Sequence, residues 1–332
     1  MESDARATED IDPVRIGVSA CLLGENVRHD GGHKKNDFLT GTLSRFVTWV
    51  PVCPEVELGL GTPRPTLRLV MIDGDVRMVE SPKPRSNEPA GIDRTDAMRA
   101  WAYQKVRALA RMRLSGYVLK KDSPSCGMER VKLYRGKGMP TRKGRGLFAQ
   151  ALIDATANLP VEEEGRLTDL KIRENFIERV FAYRDLMRLF ERRWAVRDLI
   201  AFHSAHKFQI LAHSTEAYRR LGAIVAQAKK SDRDTLRARY QNEFMAALRV
   251  PATRGRHVNV LQHMAGYFKD RLDVPSRREL QDLISEFRSG LVPLIVPLTL
   301  IRHYISSFDI GYLKDQVYLS PHPKELMLRN HV

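Results

Sequence analysis

Three short β-rich runs, each followed by a cysteine, decide the fold of the N-terminal half of this chain. They are RIGVSA at residues 15–20, followed by Cys21; WVPVC at residues 49–53, ending in Cys53; and YVLK at residues 117–120, leading through KDSPSCG to Cys126. Helix-forming segments separate these runs, and alternating strands and helices are typical of a sheet with parallel strands. We therefore predict an α/β domain with a Rossmann-like sheet and helices on both of its faces.

Other segments of this half have local patterns that predict single elements. Asp73-Gly74 is a strong hairpin signal, and Thr95 is a candidate N-cap because its side chain can accept from a helical N–H. The predicted elements are a short helix over Asn36–Val47, hairpin strands over Thr66–Met71 and Asp75–Val79, helices over Asp93–Leu114 and Gly146–Thr156, and a strand over Leu159–Val161.

The second half has a different pattern. From Asp169 onward the apolar residues recur at helical spacing almost without interruption, which predicts an all-α helical domain. We place the domain boundary near residue 165. The predicted organisation is a disordered arm over residues 1–13, an α/β domain over 14–165 and an all-helical domain over 166–332.

Composition and charge limit the class of protein. The chain has 332 residues, 43% hydrophobic and 29% charged, as in soluble globular proteins. No apolar run approaches the ~20 residues that span a bilayer, and the polar N-terminus does not resemble a signal peptide. These features predict a cytoplasmic protein without a membrane partner. The net charge of +15 favours a polyanionic partner such as nucleic acid, although some soluble proteins are simply basic.

The cysteines are the strongest candidates for a chemical site. Cys21, Cys53 and Cys126 are the only ones in the chain, and each follows a predicted parallel strand, at the edge where open α/β sheets bind ligands. Burial as small hydrophobic residues is the alternative, but the surrounding Pro, Gly and Ser favour positioning loops. Three thiolates suit a catalytic zinc ion, or a [4Fe–4S] cluster with one iron lacking a protein ligand.

Three segments resemble the TudS-type thiouracil desulfidases: SACLLGENVRHDGGHK at residues 19–34, VCPEVELGLGTPRP at 52–65 and KKDSPSCG at 120–127. The resemblance covers roughly residues 14–160. It implies that Cys21, Cys53 and Cys126 hold a [4Fe–4S] cluster whose fourth iron is open to the sulfur of a thiolated uracil. It also implies that water replaces sulfur at the ring carbon without net redox change. His29 stands where many members have tyrosine, so we assign it no family role.

Two residues near the cysteines are predicted to be catalytic. Glu55, two residues after Cys53, can act as a general base on water or as a proton shuttle to sulfur; the alternative is a surface ion pair. Ser123, three residues before Cys126, can hydrogen-bond the ring or the water; the alternative is a turn-forming serine before Pro124.

Four further residues are predicted to bind substrate. Asp30 and Gly31 form a turn that lets backbone N–H groups approach the base, although Asp30 can equally be an Asx-turn residue. Arg64, between two prolines, can neutralise an anionic cluster or substrate. Ser125, next to Cys126, completes this group.

The helical half also carries a resemblance. FHSAHKFQILAHS at residues 202–214, RGRHVNVLQHMAGYFK at 254–269 and VPLTLIRHYI at 296–305 are similar to the YbgA-type helical domain. Fusions of the two domains resemble the RudS-type desulfidases, which act on 4-thiouridine in tRNA. Arg254, Arg256, His257 and Lys269 are candidate RNA-binding residues; the alternative is a core helix with a solvated basic rim.

The leading hypothesis is a [4Fe–4S]-dependent desulfidase that converts 4-thiouridine, in tRNA, into uridine and sulfide. A second hypothesis is a desulfidase of free thiouracil or thionucleosides. A third is a metal-stabilised RNA-binding protein without catalysis. A base inside folded tRNA must be exposed or flipped to reach a pocket, so a fused basic domain favours the first.

Overall fold

The structure is a computed structural model that describes residues 13–81, 91–136, 139–191 and 193–330. The predicted N-terminal arm, apart from Pro13, lies outside the described residues. The chain divides into two compact units, Met1–Ala155 and Thr156–Val332. An α/β region precedes a helical region, as predicted. The predicted domain boundary near residue 165 stays a prediction.

Parallel strands form the centre of the first unit. The first unit contains β1 Arg15–Ser19, β2 Thr48–Val52, α1 Pro54–Glu57, β3 Leu67–Ile72, β4 Asp75–Glu80, α2 Thr95–Ala110, β5 Gly116–Leu119, β6 Val131–Tyr134, β7 Thr141–Gly144 and α3 Leu147–Ala155. Strand β1 lies between β2 and β5 and pairs with both in parallel, which confirms that prediction. Gly17 is required in β1 because a Cβ there would lie 2.1 Å from the ring of Tyr117 in β5.

A second sheet has the strand order β4-β3-β6-β7. The predicted hairpin around Asp73-Gly74 is confirmed by the antiparallel pair β3 and β4. Strands β6 and β7 were not predicted. The prediction for Thr95 was wrong: Thr95 is the first helical residue of α2, and its buried hydroxyl accepts from the Met78 N–H at 2.7 Å. The segment predicted as a helix over 36–47 contains only a short π-helix, Phe38–Thr42, and a 3₁₀ turn.

The second unit is mainly helical. It begins with a short strand and contains β8 Val161–Glu163, α4 Leu170–Glu191, α5 Val196–His213, α6 Thr215–Ala226, α7 Arg233–Arg249, α8 Arg254–Ala265, α9 Val274–Ser289, α10 Ile295–Ser307 and α11 Gly311–Lys314. In the described part of this unit, apolar side chains cluster around α8 to α10 and around α4 to α7. No helix in the described part of the chain has the length and apolar character that a membrane span needs.

A buried polar cluster lies inside the second unit. Glu178 of α4 is 2% exposed; one of its carboxylate oxygens accepts from Gln209 Nε2 at 2.9 Å and the other lies 3.3 Å from His213 Nε2. Arg329, near the C-terminus, is 4% exposed and places its Nε 3.1 Å from Glu174 Oε1. Buried charges are tolerated only when they are paired, because desolvation is expensive. The cluster therefore ties the C-terminal segment to α4 and α5.

The cluster shifts the pKa values of its members in different directions. Burial raises the pKa of Glu174, and the Arg329 guanidinium opposes this. Burial disfavours the charged forms of Glu178 and His213, but their mutual attraction lowers the pKa of Glu178 and raises the pKa of His213. A lowered carboxyl pKa stabilises the fold above about pH 4.5, whereas a raised histidine pKa stabilises it below about pH 6.5. A raised carboxyl pKa works against stability as pH rises above about 4.5.

We predict that the free energy of unfolding of the helical unit falls by about 1–3 kcal/mol between pH 5 and pH 8. Over that interval His213 loses its bound proton and Glu174 is forced to ionise, so both changes have the same sign. Urea titrations followed by the helical circular dichroism signal measure this. In a Glu174→Gln variant the decline should be clearly smaller. An unchanged pH profile in that variant would contradict this account of the cluster.

Candidate active site

The three cysteines lie at the carboxyl ends of the neighbouring strands β2, β1 and β5. Cys21 follows β1 by two residues, Cys53 follows β2 directly, and Cys126 lies in the loop after β5. The register aligns the strand ends, since Ser19 is opposite Val52 and Val18 is opposite Val118. All three cysteines line one cavity of about 370 Å³.

Each cysteine is held by its own backbone contacts. The Cys21 carbonyl accepts from the Lys34 N–H at 2.8 Å, and Cys53 is the N-cap of α1. The Cys126 N–H donates to Ser123 Oγ at 3.0 Å. Gly146 packs against the Ser125–Cys126 peptide, where a Cβ would lie 2.5 Å from the Ser125 carbonyl. The positions of the thiols are therefore set by the loops themselves.

Burial controls the protonation of the thiols. Burial raises the pKa of Cys53, and the backbone N–H groups of Val56 and Glu55 oppose the rise. Burial raises the pKa of Cys126 well above its usual range; the Ser19 hydroxyl opposes this, while the charges of Glu55 and the other two cysteines add to it. The free thiols of Cys53 and Cys126 are therefore protonated at neutral pH, and metal binding would release protons.

Glu55 lies at the start of α1 with both carboxylate oxygens engaged. Its Oε1 accepts from Ser125 Oγ at 2.7 Å, and its Oε2 accepts from Arg64 Nε at 2.8 Å. The Arg64 side chain is only 4% exposed. Its other N–H groups donate to the carbonyls of Val27 and Gly61 and to the Thr62 hydroxyl. The Arg64 Nη2 also lies 2.7 Å from Glu55 Oε2, so all five guanidinium N–H groups are used within the protein. Arg64 therefore positions Glu55 and has no N–H left for a substrate.

The two predicted serines have different surroundings. Ser123 lines the cavity, and its Oγ accepts from the N–H groups of both Ser125 and Cys126. Its own hydroxyl hydrogen is therefore available to donate into the cavity. Ser125 is 1% exposed and donates its hydroxyl to Glu55. Ser123 thus lies at the cavity, whereas the Ser125 hydroxyl is used in the hydrogen bond to the Glu55 carboxylate.

Asp30 and Gly31 do not belong to the cavity lining. Asp30 accepts from the Gly32 N–H at 3.1 Å, the Asx-turn arrangement, and contacts the Arg28 guanidinium at 3.3 Å. These two interactions, the Gly32 hydrogen bond first, lower the pKa of Asp30 to about 2. Gly31 has a φ of +79°, which the turn requires. The turn presents Arg28 and His29, which do line the cavity.

The four residues predicted to bind RNA have unequal access to solvent. Lys269 is 74% exposed, and Arg254 is exposed with its guanidinium 5.6 Å from the Phe287 ring centre. Arg256 is half-buried and donates to the His213 carbonyl at 2.6 Å. His257 is 2% exposed and lies 2.8 Å from the Tyr318 hydroxyl. Burial lowers the pKa of His257 to about 3, so this histidine is a neutral core residue.

Sequence reasoning missed two residues beside the thiols. Ser19, the last residue of β1, accepts from the Lys120 N–H at 3.0 Å and hydrogen-bonds the Cys126 thiol. Tyr117 in β5 is fully buried, and none of the described residues forms a hydrogen bond with its hydroxyl. The position of Ser19 at a strand end was a usable signal. Tyr117 gave no such signal, because it looks like an ordinary strand residue.

The three thiols are soft donors of the kind that bind zinc or iron–sulfur clusters. In the described part of the chain, no group of three or more His, Cys, Asp or Glu is placed to hold a single metal ion. A single ion needs all its ligands within about 2.0–2.4 Å of one point. In a polynuclear cluster each thiolate binds a different iron, so the sulfur atoms lie farther apart. Three thiols on one cavity lining are a donor set that a [4Fe–4S] cluster can take.

Comparisons with known proteins match the two halves of the chain separately. A family model described as 2-thiouracil desulfurase matches residues 16–164, and a model described as a protein of unknown function, DUF1722, matches residues 207–323. The Escherichia coli (strain K12) protein YbgA is 35% identical over 153 residues, which is 46% of this chain and 90% of YbgA. The Bacillus subtilis (strain 168) protein YbbK is 26% identical over 161 residues, 47% of this chain and 99% of YbbK.

A solved structure is also similar to part of the chain. It is a [4Fe–4S]-dependent thiouracil desulfidase, TudS, with 28% identity and a TM-score of 0.39, covering 49% of this chain and 99% of TudS. The combination of the two family models repeats the order of the two regions described above. The chain thus joins an N-terminal 2-thiouracil desulfurase region to a C-terminal DUF1722 region, and through the latter it belongs to the YbgA family.

Proposed function

We propose that this protein is a desulfidase of thiolated uracil, with 4-thiouridine in tRNA as its main substrate and a [4Fe–4S] cluster held by Cys21, Cys53 and Cys126. One observation carries the proposal. Three thiols from the ends of adjacent parallel strands line a single cavity together with Glu55 and Ser123. These residues lie in the region that matches the 2-thiouracil desulfurase model, which supports desulfidase chemistry.

The proposed reaction is a hydrolysis that needs no oxidant or reductant. The oxygen of water forms a bond to the ring carbon, the carbon–sulfur bond breaks with its electron pair on sulfur, and both protons of water end on the sulfide. When bound, the cluster supplies an iron without a protein ligand, a Lewis acid suited to soft sulfur.

Glu55 is the proposed general base. A carboxylate has about four acceptor sites, and Ser125 and Arg64 occupy one oxygen each. Acceptor capacity therefore remains for a water molecule in the cavity. The buried Arg64 holds the carboxylate in one orientation, so the proposed base is preorganised for reaction with a bound water molecule.

Ser123 is the proposed donor to the substrate or to the attacking water. The Ser123 oxygen accepts hydrogen bonds from two backbone N–H groups, which fix its position. Its hydroxyl hydrogen can still rotate and donate into the cavity. A fixed donor of this kind can stabilise charge that develops on the ring as water adds.

The proposal of tRNA over a free base rests on charge. The chain carries a net charge of +15, and Arg254 and Lys269 are exposed on the helical unit. Phosphate neutralisation by Lys and Arg provides most of the non-specific affinity for nucleic acid. His257 is not included in this proposal, because its ring is buried.

We predict that, after anaerobic reconstitution with iron and sulfide, the protein releases sulfide from 4-thiouridine and from thiolated tRNA. Glu55→Gln should keep the cluster but lower kcat by roughly 10²–10⁴, the range for loss of a general base. Cys126→Ala should lose both cluster and turnover. Iron content, the visible absorbance of the cluster and sulfide release measure these outcomes.

Glu57→Gln is the matched control for Glu55→Gln. Glu57 lies two residues further along α1 and pairs with Lys105 at 2.8 Å, away from the cavity lining. Equal losses in the two variants would remove the catalytic role of Glu55. Turnover of free thiouracil but not of tRNA would favour the small-molecule hypothesis, and no sulfide from any substrate would exclude both enzyme hypotheses.

A further inference from the structure

The cavity of the candidate active site has a cationic rim. Arg28, Lys34, Lys120 and Lys121 line it, and we call these four residues the cavity rim. Lys34 and Lys121 are exposed, and Arg28 and Lys120 are half-buried. Among the described residues, none forms an ion pair or a hydrogen bond with the Lys34 ammonium.

The cavity lining holds two carboxylates, Glu55 and Asp122, against the four cations of the rim and Arg64. Glu55 is engaged by Arg64, and Asp122 is paired with Arg142 at 3.0 Å. Arg28 has a carboxylate partner in Asp30, but that pair is partly exposed and therefore weak. Cationic side chains thus outnumber carboxylates in the lining, and the exposed Lys34 is one of them.

The size of the cavity determines which part of the substrate can reach the cationic side chains of the rim. A volume of about 370 Å³ has to contain the proposed cluster and a pyrimidine ring, so the ribose and its flanking phosphates must remain outside. A free base brings no phosphate to the mouth, whereas a nucleotide within RNA brings one on either side. Exposed lysines at this position suit phosphates, which they bind as point charges.

We propose that the cavity rim binds the phosphodiester groups on either side of the thiolated nucleotide and so favours a base within RNA over a free base. This inference rests on the proposed function. Compensation of the negative charge of the cluster is the competing role, and it would affect all substrates alike. The two roles differ in their dependence on polymer length and on salt.

The test compares Lys34→Ala/Lys121→Ala with the control Lys132→Ala/Lys143→Ala, whose lysines are exposed on β6 and β7 outside this cavity. In the rim variant we expect the affinity for thiolated tRNA to fall roughly tenfold at about 0.15 M salt. The plot of the logarithm of the association constant against the logarithm of salt concentration should become less steep by about two, one for each lysine removed. The ratio of kcat/KM for thiolated tRNA to that for 4-thiouridine should fall in parallel.

The binding measurement does not depend on turnover, so its outcome separates this inference from the proposed function. Unchanged affinity and salt slope in the rim variant would overturn the inference even in an active enzyme. An equal fall of kcat/KM for nucleoside and tRNA, together with a loss of iron, would also overturn it, because it would indicate charge compensation. Absence of sulfide release from every substrate would overturn the proposed function instead.

A second observation stands apart from the rim: the buried hydroxyl of Tyr117 has no hydrogen-bond partner among the described residues. The ring is fixed by its contact with Gly17 and by an edge-on contact with Phe148, whose centre is 5.8 Å away. A buried hydroxyl without a partner is costly, and such exceptions in native proteins need a physical reason. Here the ring has no freedom to turn its hydroxyl towards solvent.

The surroundings of the hydroxyl point to the missing acceptor. Burial raises the pKa of Tyr117, and the groups whose charges add to this effect are Cys126, Glu57, Cys53 and Cys21. Tyr117 also lies in β5, the strand that leads into the Cys126 loop, and pairs with Gly17 of β1, the strand that leads to Cys21. Sulfur atoms of an iron–sulfur cluster accept hydrogen bonds, and these bonds tune the reduction potential.

We infer that the Tyr117 hydroxyl donates a hydrogen bond to a sulfur atom of the bound cluster or of its cysteine ligands. Tyr117 is then a positioning and tuning residue of the site, without contact to the substrate. The inference rests on the proposed cofactor. It gives the buried hydroxyl the acceptor that it lacks among the described residues.

Tyr117→Phe tests this in two ways, with Tyr183→Phe, a half-buried tyrosine of the helical unit, as control. In the cluster-loaded variant we expect the same iron and sulfide content as in the unmodified protein. Its reduction potential should be more negative, and a tenfold change in the one-electron equilibrium corresponds to a shift of about 59 mV. In the metal-free protein the thermal midpoint should rise, since an unsatisfied hydroxyl is removed. An unchanged potential or an unchanged metal-free midpoint would overturn the inference, and failure of both proteins to take up iron would overturn the proposed cofactor.

Discussion

The parallel pairing of β1 with β2 and β5 is the constraint on which the site depends. The register places Ser19 opposite Val52, so the loops bearing Cys21 and Cys53 leave the sheet at the same level. A slip of one residue would turn every side chain of a strand to the opposite face. Backbone hydrogen bonds between the strands thus bring together the loops that carry Cys21, Cys53 and Cys126, and the contacts within each loop set the position of its thiol.

The Glu55 carboxylate is positioned by the same strand-end loops that carry the cysteines. Cys53 and Glu55 stand on either side of Pro54 at the start of α1, so the proposed ligand and the proposed base come from one turn of the chain. Arg64 and Ser125 reach Glu55 from two other loops. Ser125 is also the neighbour of Cys126. A movement of the Cys126 loop would therefore displace the hydroxyl that holds the Glu55 carboxylate, so the positions of the proposed ligand and of the proposed base are coupled.

The sequence was sufficient for features that depend on local pattern, and insufficient for those that depend on long-range contacts. The strands before the cysteines are apolar runs with clear ends, so both their existence and their parallel order were predictable. Strand β7, with the sequence TRKG, has no apolar alternation, and its pairing with β6 sets its structure. The roles of Thr95 and Arg64 were likewise not predictable from local pattern, because their hydrogen-bond partners, Met78 and Glu55, lie 17 and 9 residues away.

The helical unit illustrates the limit of reasoning from residue type. A histidine beside two arginines suggests a surface for phosphate, yet His257 lies inside, hydrogen-bonded to Tyr318. A helix that alternates basic and apolar residues must bury one face, and on α8 that face includes the histidine. The positive charge that remains exposed is arginine and lysine, which stay charged at every physiological pH. The proposed contacts between this unit and RNA should accordingly respond to salt far more than to pH.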